Sequence, residues 1–304
     1  MRKTVLALFL WMILIHNTPL KAQNALDPVS AEPKRIPMGS YINLVPDPKA
    51  REITGQIDQK LSVIKSASCE IAKTNITERG NLEDRLSFCF QKPDLYFSKS
   101  TNVKHPLLFL QNSTTYLVMD GKFLWQYIQN APGSGKTVFQ GKNIPQEKAE
   151  AFIKQHETPK ILRYDISRLR QAGNNEIEFI MATDLFINPF YLCDPLSLKL
   201  EREDETTWWF LGKSAWKQLD PNLESVRLFI GKEDGVLQKQ EFMDKDGKTF
   251  YTEEVSNVKI NPEFPPNQFI FNPPQGIEVK DMTEAVLNPL KNQSGGQTPK
   301  QNGK

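Results

Sequence analysis

Residues Tyr116–Ile128 read YLVMDGKFLWQYI, and this stretch narrows the possible folds more than any other. Asp120-Gly121 is among the strongest short signals for a tight hairpin turn. The two arms, Tyr116–Met119 and Phe123–Ile128, are rich in aromatic and β-branched residues, as strands are. Their apolar side chains fall on both faces, so neither face reads as fully wetted. A sheet with helices against one face and a greasy second face suggests a cavity, and the rest of the chain reads as its walls and lid.

The N-terminus has Arg2 and Lys3, an apolar run from Val5 to Ile15, and Leu20-Lys21-Ala22 ending on a small residue. Residues 1–22 read as a secretory signal peptide, too short and wrongly flanked for a membrane span. No Cys follows the apolar run, so the anchor signal of a bacterial lipoprotein is missing. Cleavage after Ala22 would take Arg2, Lys3 and Lys21 from the 38 basic residues and none of the 36 acidic ones, turning +2 into −1. Near-neutrality gives no electrostatic case for nucleic acid. The expectation is a soluble, exported, periplasmic protein.

Beyond residue 22 stand two histidines, His105 and His156, and three cysteines, Cys69, Cys89 and Cys193. Neither histidine has an acidic or Cys neighbour at ligand spacing, so neither a zinc site nor a His-dependent triad is expected. Carboxylate-only chemistry stays open.

Along the chain, 23–46 is Pro-rich and polar and reads as a disordered linker; 283–304 reads as a disordered tail. Between them, 47–282 reads as one domain. Its first element is a helix capped by Asp47, with Pro48 in its first turn and Ile53, Ile57, Leu61 and Ile64 on one face. Strands are expected at Ala67–Thr74, Arg85–Gln91, Asp94–Lys99, Pro106–Leu110, in the opening hairpin and at Thr137–Gln140. Gln146–His156 and Ile161–Arg170 read as helices split by Pro159, and Ile177–Leu192 suits strand or short helix. This helical insertion fits a lid, a cap or a crossover. Strands resume at Leu198–Glu203, Thr207–Leu211, Val226–Ile230, Val236–Met243, Thr249–Ile260 and Gln268–Phe271. Ten to twelve strands exceed what a flat sheet carries without curling.

At three places the sequence resembles the periplasmic lipoprotein carriers, the LolA-type family with its LolB, RseB and mycobacterial lipid-carrier relatives. Gln91–Phe97 (QKPDLYF) resembles that family's basic-Pro-x-x-aromatic strand, and Asp120–Tyr127 (DGKFLWQY) its Asp-Gly-x-x-Leu-Trp hairpin. Asn257–Asn261 (NVKIN) followed by Phe269–Val279 (FIFNPPQGIEV) resembles its closing segment. The resemblance covers about residues 48–282. It implies a mainly β, α+β fold: a curved antiparallel sheet forming an unclosed β-barrel around a helix, with a helical lid and a cavity for acyl chains. It also implies a lid latch at Lys92, where the family has Arg, and a docking residue for inner-membrane machinery at Tyr96. Lys lacks the bidentate fork of Arg.

Other features have plainer readings. Ala131–Thr137 imitates a phosphate loop, but Asn130 stands where its first Gly belongs and no helix follows, so it reads as a loop. Asp244–Gly247 imitates the opening of a calcium loop, but Lys248 and the lack of a closing Glu make it a hairpin turn. Three Asn-x-Ser/Thr matches, at Asn75, Asn112 and Asn292, indicate surface loops. Cys69 and Cys89 lie equidistant from Arg79-Gly80 and are either a disulfide or two buried thiols; Cys193 reads as buried.

Aromatic residues are spread over many strands. About half suit an ordinary core, and the surplus would line a ligand cavity. The candidate lining is Phe97, Phe109, Trp125, Tyr127, Phe186 and Phe190, with Trp208, Phe210, Phe229, Phe269 and Phe271. No catalytic residue, metal or cofactor is expected. The sequence thus reads as a monomeric, non-enzymatic carrier of lipid or lipoprotein acyl chains, working between inner-membrane release machinery and an outer-membrane acceptor. The alternatives are an envelope sensor of the same fold and a carboxylate-dependent secreted enzyme.

Overall fold

Asp47 begins the first long helix as its side chain allows: its Oδ1 accepts the backbone N–H of Ala50 at 2.8 Å, and Pro48 needs no N–H in the first turn. The computed structural model describes residues 36–77, 80–104, 111–130, 147, 150, 154, 158–171, 186, 188–216 and 220–287. In it, α1 is Met38–Leu44 and α2 is Pro48–Ser62. Ala50, Ile53, Ile57 and Leu61 of α2 are buried, one stripe three or four residues apart.

The strands are β1 Ser66–Thr77, β2 Gly80–Gln91, β3 Leu95–Lys104, β4 Thr114–Asp120, β5 Phe123–Gln129 and β6 Lys160–Asp165. After α3 (Ile166–Gln171) come β7 Lys199–Glu203, β8 Thr207–Lys213, β9 Ser225–Gly231, β10 Leu237–Met243, β11 Thr249–Ile260 and β12 Val279–Asp281. All twelve form one sheet in the order β12-β6-β5-β4-β3-β2-β1-β11-β10-β9-β8-β7. Every pairing is antiparallel except β12 with β6. The edges, β7 and β12, are not joined, so the curved sheet stays open.

Register bulges occur at β1/β11, β2/β3, β7/β8, β9/β10 and β10/β11, and bulges bend and twist strands. At β1/β11 the extra residue is Asn257, at φ 54°, whose side-chain amide donates to Glu70. Asn261 (φ 51°) ends β11 and accepts the backbone N–H groups of Lys65 and Ser66 on its side-chain oxygen, pinning β11 to the start of β1.

The main core lies between the sheet and α1 and α2. Rows run across it in register: Phe90, Tyr96, Met119, Leu124 and Tyr164 stand side by side on β2 to β6 and are all buried in this core. A smaller cluster on the opposite face contains Val118, Trp125 and Ile161, under Phe271, Ile277 and Val279.

The structure changes several expectations. Lys160–Asp165 is strand β6, not the start of a helix; Ile161 and Leu162 go to opposite faces, and only Ile166–Gln171 is helical. Gln268–Phe271 forms turns rather than a strand, and β12 lies further on. The stretch assigned to a linker holds α1, because Met38, Tyr41 and Val45 bury their side chains. Residues 283–287, assigned to the tail, are helical, with Val286 and Leu287 in the core. The strands expected at 106–110 and 137–140, the helix at 146–156 and the signal peptide lie outside the described residues.

Candidate functional site

Successive residues of a strand point to opposite faces, and this divides the expected cavity lining. Phe186, Phe190, Trp208 and Phe210 lie in the main core on the helix-bearing face. Phe186 packs on Phe88 and Phe90, and Phe190 on Tyr41 and Phe210.

Phe97, Trp125, Tyr127 and Phe271 belong instead to the outer cluster. Trp125 follows Leu124, which faces the helices, so Trp125 must face away. Its ring is 5.4 Å from Phe271, and Arg163 lies over it at 5.6 Å. Phe229 is also outward, paired with Trp209 at 4.6 Å. Phe269 is buried against Phe264 on the segment between β11 and β12. Phe109 lies outside the described residues. The aromatic residues therefore form an interior group and an outer layer, not one cavity wall.

The outer layer is built twice by the same device. Asp120 Oδ1 accepts the N–H groups of Lys122 and Phe123, while Oδ2 accepts the Trp125 indole N–H at 2.9 Å. Asp204 Oδ1 accepts the N–H groups of Thr206 and Thr207, and Oδ2 accepts the Trp209 indole N–H at 3.3 Å. Gly121, at φ 89°, supplies the backbone that the first turn requires. Each Asp precedes its Trp by five residues, a spacing legible in the sequence once the role of the Asp is known.

Tyr96 is 2 % exposed and stacked on Phe88, so its ring lies inside the core and not on a docking surface. Lys92 is exposed and makes no ion pair among the described residues; partial burial lowers its pKa. The neighbouring Asp94 carries the ionic contact instead. Arg170, from α3, donates through Nη1 to Asp94 Oδ2 at 3.1 Å and through Nη2 to Oδ1 at 2.6 Å. The fork that Lys92 cannot present arrives from the opposite side of the contact.

Cys69, Cys89 and Cys193 are free and buried. The β1/β2 register sets Cys69 opposite Phe88 and Cys89 opposite Ser68. The cysteines are one residue out of register, so Cys69 faces the core and Cys89 the other face, where its Sγ accepts the Gln268 amide at 3.3 Å. That excludes the cross-strand disulfide.

Sequence reasoning missed a polar row within the apolar interior. Asp84, Lys73, Glu253 and Gln240 stand side by side on β2, β1, β11 and β10. Lys73 Nζ is 3.0 Å from Glu253 Oε1, which also accepts the Tyr251 hydroxyl at 2.5 Å; Glu253 Oε2 accepts Gln240 Nε2 at 2.5 Å. Burial alone would push the Glu253 carboxyl up, but Lys73 and these hydrogen bonds hold it below the usual range. Burial would likewise lower Lys73, and the Glu253 charge raises it instead. Both stay ionised. In the sequence these residues only interrupt strand patterns, and no motif marks them.

Asp244–Gly247 is a turn, with Asp244 accepting the N–H groups of Asp246 and Lys248. Among the described residues no three His, Cys, Asp or Glu side chains gather to hold a metal, and no helix is long and apolar enough to cross a membrane.

One open, curved sheet over α2, closed at neither edge, is the architecture that the resemblance to the carriers implies. The observed fold class, a curved and unclosed sheet that is antiparallel but for β12 and lies over a helix, agrees with that expectation. No family model matches the chain, and no curated protein matches it. Similar solved structures include an uncharacterized conserved protein from Thermus thermophilus (13 % identity, 77 % of this chain, 99 % of that one, TM-score 0.38). The Mycobacterium tuberculosis lipoprotein LppX is another (11 % identity, 72 % and 98 %, TM-score 0.37). A LolA superfamily protein from Nitrosomonas europaea is a third (12 % identity, 71 % and 97 %, TM-score 0.26).

Proposed function

We propose that this protein is an exported, non-enzymatic carrier that shields lipid or lipoprotein acyl chains on the helix-bearing face of its sheet and moves them towards the outer membrane. The observation behind this reading is that, among the described residues, the cover given by α2, with α1, Phe186 and Phe190 packed beside it, is narrower than the interior face. Twelve strands span roughly 53 Å across, whereas a helix with its side chains is about 10–12 Å wide. Helix α2 is tied to the β7–β10 end, where Lys49 donates to Glu203 at 2.6 Å and Lys60 to the Glu233 carbonyl at 2.8 Å. At the β3–β6 end the apolar row of Tyr96, Met119, Leu124 and Tyr164 is followed by Ser98, Leu117, Gln126 and Leu162, whose two leucines are only half-buried.

Acyl chains suit such a face because the attraction needs no directional partner. Each methylene taken from water is worth about 0.8 kcal/mol, so a dozen give about 10 kcal/mol before ordering costs. A carrier must also release its load, and the half-buried Arg170–Asp94 fork is a contact at the margin of the core that would open for α3 to move. Native mass spectrometry of protein purified from a bacterial periplasm tests the reading. Bound lipid or acylated peptide at one per chain is expected. Ligand-free protein that also fails to bind a fluorescent fatty-acyl probe would refute it.

A further inference from the structure

The segment between β11 and β12 is tied down at its ends and loose in its middle. At one end Asn261 pins β11 to the start of β1, and Ser66 Oγ donates to the Pro262 carbonyl at 3.2 Å. At the other, β12 pairs with β6, Arg163 donates to Asp281 at 2.8 Å, and Val286 and Leu287 enter the main core. Between these anchors Pro262, Pro265, Pro266, Pro273 and Pro274 have no N–H to offer a strand ladder. The backbone hydrogen bonds there close on the segment itself, from Gln268 to Pro265, Ile270 to Asn267 and Ile277 to Pro274. Among the described residues, 263–278 reach the sheet through one hydrogen bond, from Gln268 Nε2 to Cys89 Sγ at 3.3 Å, and sulfur is a weak acceptor. Apolar contact does the rest. Phe269 is buried, Phe271 lies 5.4 Å from Trp125 and 6.0 Å from Tyr127, and Ile277 joins the same outer cluster.

We propose that 263–278 is a hinged strap, which lifts from the outer face while the sheet and its main core stay folded. It crosses a row set by register: Cys89, Phe97, Val118 and Trp125, side by side on β2, β3, β4 and β5. Segments with few buried side chains and few hydrogen bonds open at lower free energy than the core. Most of this one is exposed, Ile270 at 57 %. Lifting it removes the Gln268 amide from Cys89, whereas Cys69 and Cys193 lie in the main core. One thiol therefore reports on the strap and two report on the core. The strap lies on the face away from α2, so its movement is separate from acyl-chain binding and does not depend on the carrier reading.

The test is iodoacetamide alkylation of each thiol in native protein across sub-denaturing urea, read by peptide mass spectrometry. An opening that exposes little surface responds weakly to urea, and global unfolding responds steeply. Cys89 should react at a slow rate that is nearly flat in urea, and Cys69 and Cys193 at slower rates that climb steeply. Phe271→Ala removes a half-buried ring from the strap and should raise the flat Cys89 rate about tenfold. Ile277→Ala serves in its place if that variant does not fold. A Cys89 rate that climbs with urea in step with Cys69 and Cys193, or one that the substitution leaves unchanged, overturns the proposal and leaves the carrier reading standing.

Discussion

Arg170 grips both carboxylate oxygens of Asp94, joining α3 to the turn between β2 and β3 across 76 residues of sequence. Both side chains keep about a third of their exposure or less, so the contact is neither a solvated surface pair nor a core ion pair. Arg170→Lys keeps the charge and loses the fork. The expected loss is about 1 kcal/mol, or about 2–4 °C in melting temperature. Release of a bound fatty-acyl probe should also quicken, which stopped-flow dilution would read. Unchanged melting and release would make the fork incidental.

The three thiols should remain thiols in an oxidising compartment. Burial pushes Cys69 well up, Cys89 to about 11 and Cys193 to about 12, so little thiolate forms at neutral pH. Alkylation in denaturant, without reductant, should add three labels by mass spectrometry, whereas native protein should label slowly. A peptide linking Cys69 to Cys89 would contradict the β1/β2 register.

Lys73 and Glu253 should behave as one unit. Lys73→Met leaves an ionised carboxyl inside an apolar face and is expected to cost about 2–3 kcal/mol, below the fully buried range because Lys73 is partly exposed. The double variant Lys73→Met/Glu253→Gln should recover much of this in urea denaturation. Glu253 is held low and Lys73 high. Their contribution is therefore present above the ordinary carboxylate pKa and below the ordinary lysine pKa, and is lost only beyond those limits. Strict additivity of the single variants would deny the coupling.

An acid limb should appear at the β12 edge. Asp281 is held at about 2 by hydrogen bonds from Thr283 and by Arg163. A depressed pKa contributes stability above the unfolded value, near 3.9, which is lost as pH falls towards 2. Asp281→Asn should flatten this part of the stability curve and lower it at neutral pH. Amide exchange in 279–281 should quicken in parallel. A wild-type curve flat from pH 5 to 2 would contradict the assignment.

Much of the sheet was legible because strand chemistry is local. The Asp120-Gly121 turn, the Asp47 cap and the strands from β7 to β11 follow from turn residues and β-rich runs. What the sequence left open was which face each side chain joins. For Cys69 and Cys89 the sequence leaves a disulfide and two buried thiols open, and a single register position decides for the thiols, because in a sheet one position reverses every face. Trp125 and Phe97 read as cavity lining because both faces here are apolar, and nothing local reveals that the Phe271–Val279 segment returns to cover the outer one. Residues Lys160–Asp165 lost their strand identity to a nearby helix, and the Lys73 row lies on strands up to 180 residues apart, beyond any motif.

The decisive measurement is titration of a fluorescent fatty-acyl probe against Leu117→Glu and Trp125→Leu, with circular-dichroism melting to establish folding. Leu117 is half-buried on the helix-bearing face and Trp125 lies in the outer cluster. A carboxylate at 117 must be desolvated when a chain occupies the interior, so Leu117→Glu should remain folded and lose probe binding by tenfold or more, on the order of the ~2 kcal/mol penalty. Trp125→Leu should melt earlier, through lost packing of about 2 kcal/mol, and bind the probe as wild type does. A folded Leu117→Glu protein with wild-type affinity, or a folded Trp125→Leu protein that no longer binds, would contradict the placement of the acyl chain on the helix-bearing face.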